Sequence, residues 1–306
     1  MIQDPATYCE TVFKGIPVRT AEPMKRHTSL GIGGPAQIMV MPETGEQVSR
    51  ALEICRAEGF TATVVGGGTN LLVGDTGISG VVIHLRHLKG AVSITELDPE
   101  RVRLDVPAGN PLASILRLCM KKGFEGAEFA AGIPGTIGGA VMMNAGGSSG
   151  TISDILDSIE VTGKDTDVTR IDRKYLDFSY RHLAGISGIV TGVSLVLSRG
   201  DGALVKKRIY RNYMKKKSAQ PLLVKSAGCF FKNPEKGKSA GELIELCGLK
   251  EKRIGDAMVS ALHANFILNV GDATCRDILK LKDRIQKEVF KAFSVELQPE
   301  VIITDE

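Results

Sequence analysis

The segment AAGIPGTIGGAVMMNAGG at residues 130–147 constrains the fold of this chain more than any other stretch. Its apolar residues follow neither the helical nor the alternating period, so it predicts a long loop, and such loops inside compact domains are usually functional. Pro134 stiffens this loop, and Thr136 adds a hydroxyl. The backbone is left uncovered at Gly132, Gly135, Gly138 and Gly139. The segment is therefore a candidate donor surface for a phosphate-bearing cofactor.

A second glycine-rich turn, VVGGGTNLLV at residues 64–73, follows a predicted buried strand at 61–65. Its three glycines allow a tight turn that presents N–H groups to an anion, and Thr69 and Asn70 add side-chain donors. The turn is not a Rossmann fingerprint, because Leu71 stands where the third glycine is required, and no Gly-Lys-Ser/Thr follows to make a P-loop. A glycine turn without a ligand is the alternative.

The two stretches together favour one kind of ligand. Neither contains a lysine, which predicts neutral backbone donors around a pyrophosphate. The chain holds 35 glycines in 306 residues, above the usual ~7%. A bound dinucleotide is the expectation, and the glycines alone do not say which one.

The apolar pattern divides the chain into three parts. Residues 1–85 alternate strand and helix, residues 86–200 are mostly strand, and residues 201–297 begin with a basic run. The last strand, within residues 298–306, is assigned to the first part. With 43% apolar residues, the chain is long enough to bury several cores.

Helices and strands are predicted from end signals and periodicity. Predicted helices cover Gln47–Glu58, a segment capped by Asn110 and ended by Gly123, a segment opened by the capping box of Ser239 and Glu242, and Thr274–Phe293. Further predicted strands are at residues 81–85, 263–269 and 301–306.

Several functional classes lose support from composition. The six cysteines contain no CxxC pair, which removes zinc and iron–sulfur sites and indicates a reducing compartment. His84 and His87 are expected to face opposite sides of a strand, so they do not predict a metal site. No apolar run approaches the ~18 residues of a membrane span, and the N-terminus has no signal-peptide pattern. We expect a soluble, cytoplasmic protein without a metal.

The run KKRIYRNYMKKK at residues 206–217 is the strongest charge feature. A solvated helix face or linker is the favoured interpretation. Attraction of an acidic substrate is a second one, and nucleic-acid binding with Tyr210 and Tyr213 as stacking groups is a third. The net charge of only +4 and the absence of an RNA-binding module argue against the third.

The stretch SAGCFFKNP at residues 226–234 sets a thiol, Cys229, beside two phenylalanines, Lys232 and Asn233. From its neighbours alone Cys229 fits four roles: core residue, nucleophile, flavin tether or proton donor. The polar groups that follow Cys229 make the role of a core residue less favoured.

Six stretches, in order, resemble one family. They are VVGGGTNLLV, AGIPGTIGGAVMMNAG, YRH at 180–182, SAGCFFKNP, HANFILN and PEV at 299–301. The chain is similar along nearly its whole length to the UDP-N-acetylenolpyruvoylglucosamine reductases (MurB), in the shorter type that lacks an extra substrate-covering loop. The resemblance implies an α+β protein with a PCMH/vanillyl-alcohol-oxidase-type FAD-binding fold in two subdomains and a C-terminal α+β substrate-binding domain.

The resemblance also implies a reaction of peptidoglycan synthesis, in support of cell shape and division. NADPH reduces non-covalently bound FAD, which then reduces the enolpyruvyl ether of UDP-N-acetylglucosamine to UDP-N-acetylmuramate. A monomer without nucleic-acid or membrane partners is implied. Two alternatives stay open: an oxidase of the same fold with FAD tethered to Cys229, and a non-enzymatic nucleotide- or RNA-binding module.

The implied site residues fall into three groups. Catalysis is carried over to Arg181, Cys229 and Glu300, with Cys229 replacing the usual serine as proton donor. Substrate binding is carried over to Tyr180, Lys217 and Asn233. Cofactor binding is expected at Gly66, Gly67, Gly68, Thr69, Asn70, Leu71, Gly132, Ile133, Pro134, Gly135, Thr136, Gly138, Gly139, Ala140 and Asn144. Local departures from the family pattern occur at Gly31, Asp256 and Ile302.

Overall fold

The structure, a computed structural model, describes residues 5–163 and 167–304, which divide into two compact units. The first unit contains the chain up to Thr20, Ile38–Gly67 and Ser79–Lys215. The second contains Ala21–Gln37, Gly68–Ile78 and the chain from Lys216 onward. The sequence-based boundaries near residues 85, 200 and 297 stay predictions.

Two main sheets consist largely of first-unit residues. One has the strand order Val18–Pro23, Pro35–Val40, Ile78–His84, Ala62–Val65. The other has the order Val168–Asp172, Leu156–Thr162, Ile189–Arg199, Arg101–Pro107, Ser93–Glu96. The short strand Phe124–Glu125 also pairs with Ile189–Arg199. The strands predicted at 61–65 and 81–85 are confirmed, and they pair in parallel with Val65 opposite His84. The carboxyl end of Ala62–Val65 therefore leads directly into the first glycine turn.

The α-helices of the first unit are Pro5–Val12, Gly45–Ala57, Leu112–Lys122, Ile137–Met142 and Gly202–Ala219. The last of these helices extends beyond the end of the unit at Lys215. The helix predicted at Gln47–Glu58 is confirmed with a start two residues earlier, because the Thr44 hydroxyl accepts a hydrogen bond from the Gln47 N–H at 3.2 Å. The basic run lies on Gly202–Ala219, whose Val205 and Ile209 are buried, so the expectation of a helix with a solvated face is confirmed.

The predicted cap at Asn110 is wrong. The helix Leu112–Lys122 is preceded by Pro111, and no side chain caps it. The Asn110 amide instead donates to the Gly90 carbonyl and accepts from the Gly90 N–H, both at 2.9 Å. Two bonds to the backbone of Gly90 take the place of the single bond of a cap. Gly123 ends the helix as predicted, with φ of 73°.

The second unit has a four-stranded antiparallel sheet and two helices. The sheet order is Ser226–Cys229, Phe266–Asn269, Ala257–Val259, Arg253–Ile254. The helices are Ala240–Leu246 and Cys275–Phe293. A short strand, Ile302–Ile303, pairs in parallel with Leu71–Leu72. The predicted strand at 263–269 is confirmed over its second half, and the last two residues of the predicted 301–306 strand lie outside the described residues.

Capping and burial explain the two helices of this unit. Ser239 and Thr274 each form a capping box, with Glu242 and Asp277 as partners, as the sequence predicts for Ser239. The long helix buries one stripe: Cys275, Ile278, Leu281, Ile285 and Val289. Each such apolar side chain contributes roughly 1.5–3 kcal/mol by leaving water. This core holds the sheet whose first strand carries Cys229.

Shorter elements complete the description. They are 3₁₀ turns at Met24–Arg26, Leu85–His87, Glu128–Ala130, Ile152–Asp154 and Arg173–Tyr175, and two hairpins of strands Gly146–Gly147 with Gly150–Thr151 and Asp177–Ser179 with His182–Ala184. Within residues 5–163 and 167–304 no helix is long and apolar enough to cross a membrane.

Candidate active site

The two glycine-rich stretches lie against each other in the first unit. A Cβ atom added to Gly66 would stand 2.8 Å from the Thr136 hydroxyl, and one added to Gly67 would stand 2.8 Å from the Gly135 Cα. Real Cβ atoms essentially never approach so closely, so both positions require glycine. The sequence predicts that both stretches bind one cofactor. The structure brings together four of their residues: Gly66, Gly67, Gly135 and Thr136.

The second stretch is not one continuous loop, contrary to the sequence-based expectation. It turns at Gly132 and Gly135, where φ is 76° and 105°, and then forms the helix Ile137–Met142. Thr136 caps this helix by accepting a hydrogen bond from the Gly139 N–H at 3.3 Å. Two glycines and a short length hide the helical period of this helix from a sequence search. Thr136 thus has a structural role as well as its predicted cofactor role.

Two backbone amides of the second stretch are engaged in hydrogen bonds within the protein. The Ile137 and Gly138 amides donate to the carbonyls of Asn110 and Ala108, both at 2.9 Å. Gly138 sits so close to Ala108 that an added Cβ would lie 2.7 Å from that residue's Cβ. The amides available to an anion are therefore better sought at the turn around Gly66, where a strand has just ended. An uncharged turn with exposed backbone N–H groups of this kind fits a pyrophosphate.

The other predicted cofactor residues of this stretch differ in exposure. Pro134 is exposed, Ile133 is half-buried and Ala140 is buried. Asn144 is also buried, and its amide is engaged within the protein: Nδ2 donates to the Ser179 carbonyl at 3.2 Å.

The rest of the first turn, Gly68–Leu71, belongs to the second unit. Gly68 has φ of 62°, and an added Cβ would lie 1.9 Å from the His27 carbonyl oxygen. The His27 imidazole lies 3.0 Å from the buried Glu22 carboxylate. This pairing behind the turn gives His27 a structural role. Nothing in the sequence pattern marked Glu22 as its partner.

Asn70 ties this turn to the chain terminus. Its Nδ2 donates to the Glu300 carbonyl at 3.0 Å, and its own carbonyl accepts from the Ile302 N–H at 3.1 Å. The buried Leu71 continues the contact as the strand partner of Ile302. Glu300 is therefore fixed by its backbone, while its half-buried carboxyl group extends from a rigid segment.

The Cys229 stretch is held from both sides within the second unit. Cys229 pairs with Phe266 across a bulge, and the next residue, Phe230, accepts a hydrogen bond from the Glu300 N–H at 2.8 Å. The Asn265 side chain binds both the N–H and the carbonyl of Phe231, at 2.9 and 2.8 Å. Cys229 and Glu300 thus lie on neighbouring, hydrogen-bonded segments. Asn265 was not predicted as a site residue, because no local signal within HANFILN marks it.

Cysteines fall into two classes by burial. Four are buried, whereas Cys229 and Cys247 are half-buried. Burial raises the pKa of Cys55 to about 11 and the pKa of Cys119 to about 12, so these thiols stay protonated and unreactive at neutral pH. Burial, and the nearby Glu288 carboxylate, also raise the pKa of Cys247. The four buried cysteines pack in the hydrophobic cores as small apolar residues.

The predicted catalytic arginine lies at a hairpin tip in the first unit. Ser179 pairs with His182, so Tyr180 and Arg181 form the turn between them. Tyr180 is 50% exposed, and the Arg181 guanidinium carbon stands 5.0 Å from the centre of its ring. A cation held beside an exposed aromatic ring is a suitable contact for an anionic ligand.

The remaining predicted substrate residues lie in the second unit. Lys217 is exposed in the last turn of Gly202–Ala219. Asn233 is exposed, and its Oδ1 accepts a hydrogen bond from the Ala240 N–H at 3.1 Å. That bond gives Asn233 a structural role at the start of the helix Ala240–Leu246.

The three departures from the family pattern have local explanations. The Asp256 carboxylate accepts from the Asp272 N–H at 2.9 Å, which fixes a turn. Gly31 has φ of 65°, where a side chain would be strained. Ile302 is 55% exposed at the edge of a two-stranded pair.

In the described part of the chain, no group of three or more acidic, histidine or cysteine side chains could hold a metal ion.

Comparison with known proteins agrees with this architecture. Residues 36–172 match the FAD binding domain family, and residues 220–304 match the UDP-N-acetylenolpyruvoylglucosamine reductase C-terminal domain family. The chain is 40% identical over 301 residues to the UDP-N-acetylenolpyruvoylglucosamine reductase of Desulfosudis oleivorans, covering 96% of each chain. It is 38% identical to that of Syntrophus aciditrophicus over 93% of this chain and 91% of the relative. The crystal structure of the reductase (MurB) from Thermus caldophilus superposes with a TM-score of 0.79 at 35% identity, over 95% of this chain and 99% of the other.

Proposed function

The chain belongs to the UDP-N-acetylenolpyruvoylglucosamine reductase family, an FAD-dependent oxidoreductase family of peptidoglycan precursor synthesis, and from this premise we propose that it reduces the enolpyruvyl ether of UDP-N-acetylglucosamine with NADPH. The predicted fold class, an FAD-binding fold followed by a C-terminal substrate domain, is confirmed by the same comparisons. We further propose that the protein acts in the cytoplasm as a monomer, without nucleic acid or membrane.

The residues present fit FAD. Gly66 and Gly67 have no room for side chains, and Gly68 is held left-handed, so the turn presents bare backbone beside the Thr136 cap. We propose that this turn and the stretch 132–140 hold the pyrophosphate through neutral donors, without a covalent bond to the flavin. Bound FAD would accept a hydride from NADPH and supply one to the terminal alkene carbon of the substrate.

The three proposed catalytic residues divide the remaining work. Hydride addition leaves negative charge on the carbon beside the substrate carboxylate, and the Arg181 cation and a protonated Glu300 stabilise it as donors. The Cys229 S–H then gives its proton to that carbon, which sets the stereochemistry, and the thiolate recovers a proton from solvent. Tyr180, Lys217 and Asn233 are proposed to orient the UDP-sugar.

One observation carries the proposal: the backbone of Glu300 is bonded to the segment of Cys229 and to Asn70 of the glycine turn. A proposed acid, a proposed donor and a cofactor-binding turn are thereby fixed to one another within one unit. This arrangement supports preorganised catalysis, in which donors need not move during the reaction.

The function is tested by product analysis with the purified holoenzyme. NADPH oxidation should require the enolpyruvyl UDP-sugar, and mass spectrometry should show a product heavier by two hydrogens. FAD should stay in the supernatant after acid precipitation of the protein. Rapid NADPH oxidation with oxygen alone, or flavin that precipitates with the chain, would instead support the oxidase alternative and overturn the proposal.

A further inference from the structure

The arginine at the hairpin tip has a strained backbone. The φ of Arg181 is 56°, in the left-handed region. Arg181 occupies the second position of a two-residue turn between Ser179 and His182. Tyr180 does not share this conformation, so the turn is of the kind in which glycine is the usual residue at that position. A non-glycine residue persists there only when its surroundings hold it. The surroundings of Arg181 therefore decide where its guanidinium lies.

Asn144, which follows the helix Ile137–Met142, contacts this turn at two places. Its Nδ2 donates to the carbonyl of Ser179, the residue that opens the turn, at 3.2 Å. Its backbone carbonyl accepts a hydrogen bond from Arg181 Nη1 at 3.5 Å. Asn144 is itself left-handed, with φ of 38°, which asparagine tolerates better than most residues. One buried residue thus contacts both the backbone and the guanidinium of the turn.

The other contacts of Asn144 lead to the glycine-rich stretch. Its N–H donates to the Val141 carbonyl at 3.0 Å, which joins it to the end of the helix Ile137–Met142. Its Oδ1 accepts from the Ser153 N–H at 3.4 Å. That helix starts at Thr136, the residue against which Gly66 packs. Asn144 therefore connects the proposed cofactor-binding backbone to the arginine tip within one unit.

We propose that Asn144 is a positioning residue that fixes the Arg181 guanidinium for the second half-reaction. The inference rests on the proposed function, because it concerns how Arg181 reaches the developing negative charge. A displacement of about 1 Å in such a group costs on the order of 100-fold in rate. Flavin reduction by NADPH does not use that charge stabilisation, so the two half-reactions should respond differently.

The first test compares Asn144→Gly with Asn212→Ala. Glycine keeps the left-handed backbone and the carbonyl of residue 144 but removes the amide. Asn212→Ala removes a similar bond, Nδ2 to the Glu128 carbonyl at 3.0 Å, far from the turn in sequence. Stopped-flow absorbance should show reoxidation by the UDP-sugar slowed about 10- to 100-fold more than flavin reduction by NADPH in Asn144→Gly, and neither half-reaction changed by more than about twofold in Asn212→Ala. Equal slowing of both half-reactions, or none, would overturn the proposal.

A double variant separates a positioning role from a general structural one. In an Arg181→Lys background, Asn144→Gly should slow reoxidation by less than about threefold further, because the group it positions is already gone. Full multiplication of the two effects would mean that Asn144 acts independently of Arg181.

The second test needs no flavin and no turnover. Phenylglyoxal labelling of the flavin-free protein, followed by peptide mass spectrometry, should show faster labelling of Arg181 in Asn144→Gly, with Arg103 unchanged. Arg103 is a half-buried arginine paired with Asp105 at 3.4 Å in the same unit, so it reports general loosening. Unchanged Arg181 labelling, or an equal rise at both arginines, would contradict the proposal. If the wild type fails to turn over the UDP-sugar, the proposed function fails while this labelling still reads the position of Arg181.

Discussion

At the scale of single residues, Cys229 is proposed as the proton donor, at a position where the resemblance to the family implies a serine. A thiol has a pKa near 8.5, far below that of an alcohol, yet it remains mostly protonated at neutral pH. Its backbone is fixed by the pairing with Phe266 and by the bonds that Asn265 makes to Phe231. A fixed, mildly acidic donor suits proton transfer to carbon.

Replacing Cys229 tests that role. In Cys229→Ala, reduction of the flavin by NADPH should stay within about twofold of wild type, and reoxidation by the UDP-sugar should fall by 100-fold or more, since general acids contribute about 10²–10⁴. Cys229→Ser should retain substantial reoxidation because a hydroxyl can donate in the same place. Single-turnover absorbance measures both steps, and Cys247→Ala is the control at the other half-buried thiol. A normal reoxidation rate in Cys229→Ala would exclude the thiol as donor.

His263 makes the second unit sensitive to acid. Burial lowers the pKa of His263, and its Nδ1 accepts a hydrogen bond from the Asn265 N–H at 3.3 Å, which requires the unprotonated ring. The folded state therefore binds fewer protons than the unfolded chain below pH ~6.5, so stability rises with pH and is lost as pH falls through that range.

Urea unfolding at several pH values measures this effect. Between about pH 7.5 and pH 5, the free energy of unfolding should fall less in His263→Gln than in wild type, while the exposed His87→Gln should behave as wild type. Identical pH profiles for His263→Gln and wild type would remove His263 as the cause.

At the scale of elements, the contact between the two glycine stretches makes a sharp prediction. Alanine at Gly67 would place a Cβ 2.8 Å from the Gly135 Cα, and neither backbone can yield without separating the stretches. FAD affinity should fall by an order of magnitude or more, which corresponds to at least ~1.4 kcal/mol.

Fluorescence titration of flavin-free protein with FAD gives the comparison. Gly147→Ala is the matched control, since its Cβ would meet no heavy atom within 4 Å. Equal FAD affinity for the Gly67 and Gly147 variants would show that the close approach of Gly67 to Gly135 does not matter for the cofactor.

The sequence was informative where local physics decides the structure. End signals located the helices at Gly45–Ala57 and Cys275–Phe293, because capping side chains and apolar stripes are short-range features. Asn110 was misassigned because its partner, Gly90, lies twenty residues away in the chain. The helix Ile137–Met142 was missed because its glycines carry no apolar stripe.

The same difference between local and long-range features holds for the site. Motifs indicated which residues would matter, but they did not indicate that Asn70 binds the Glu300 carbonyl or that Asn265 binds the backbone of Phe231. These bonds join positions between 34 and 230 residues apart, and no local pattern encodes them.

At the scale of the whole molecule, the described residues form two hydrophobic cores. One includes Phe13, Leu104 and Ile137, and the other includes Phe230, Phe231 and Ile285. Of the residues proposed for catalysis, Arg181 belongs to the first unit, and Cys229 and Glu300 belong to the second. Activity should therefore require the full chain, with FAD and both substrates.

The proposed function is tested most directly by the absorbance spectrum of the flavin in the purified holoenzyme under anaerobic conditions. NADPH should bleach the oxidised flavin band, and the enolpyruvyl UDP-sugar should then restore it in a stoichiometric step. A band that NADPH bleaches but that the UDP-sugar cannot restore, while oxygen can, would contradict the proposed function.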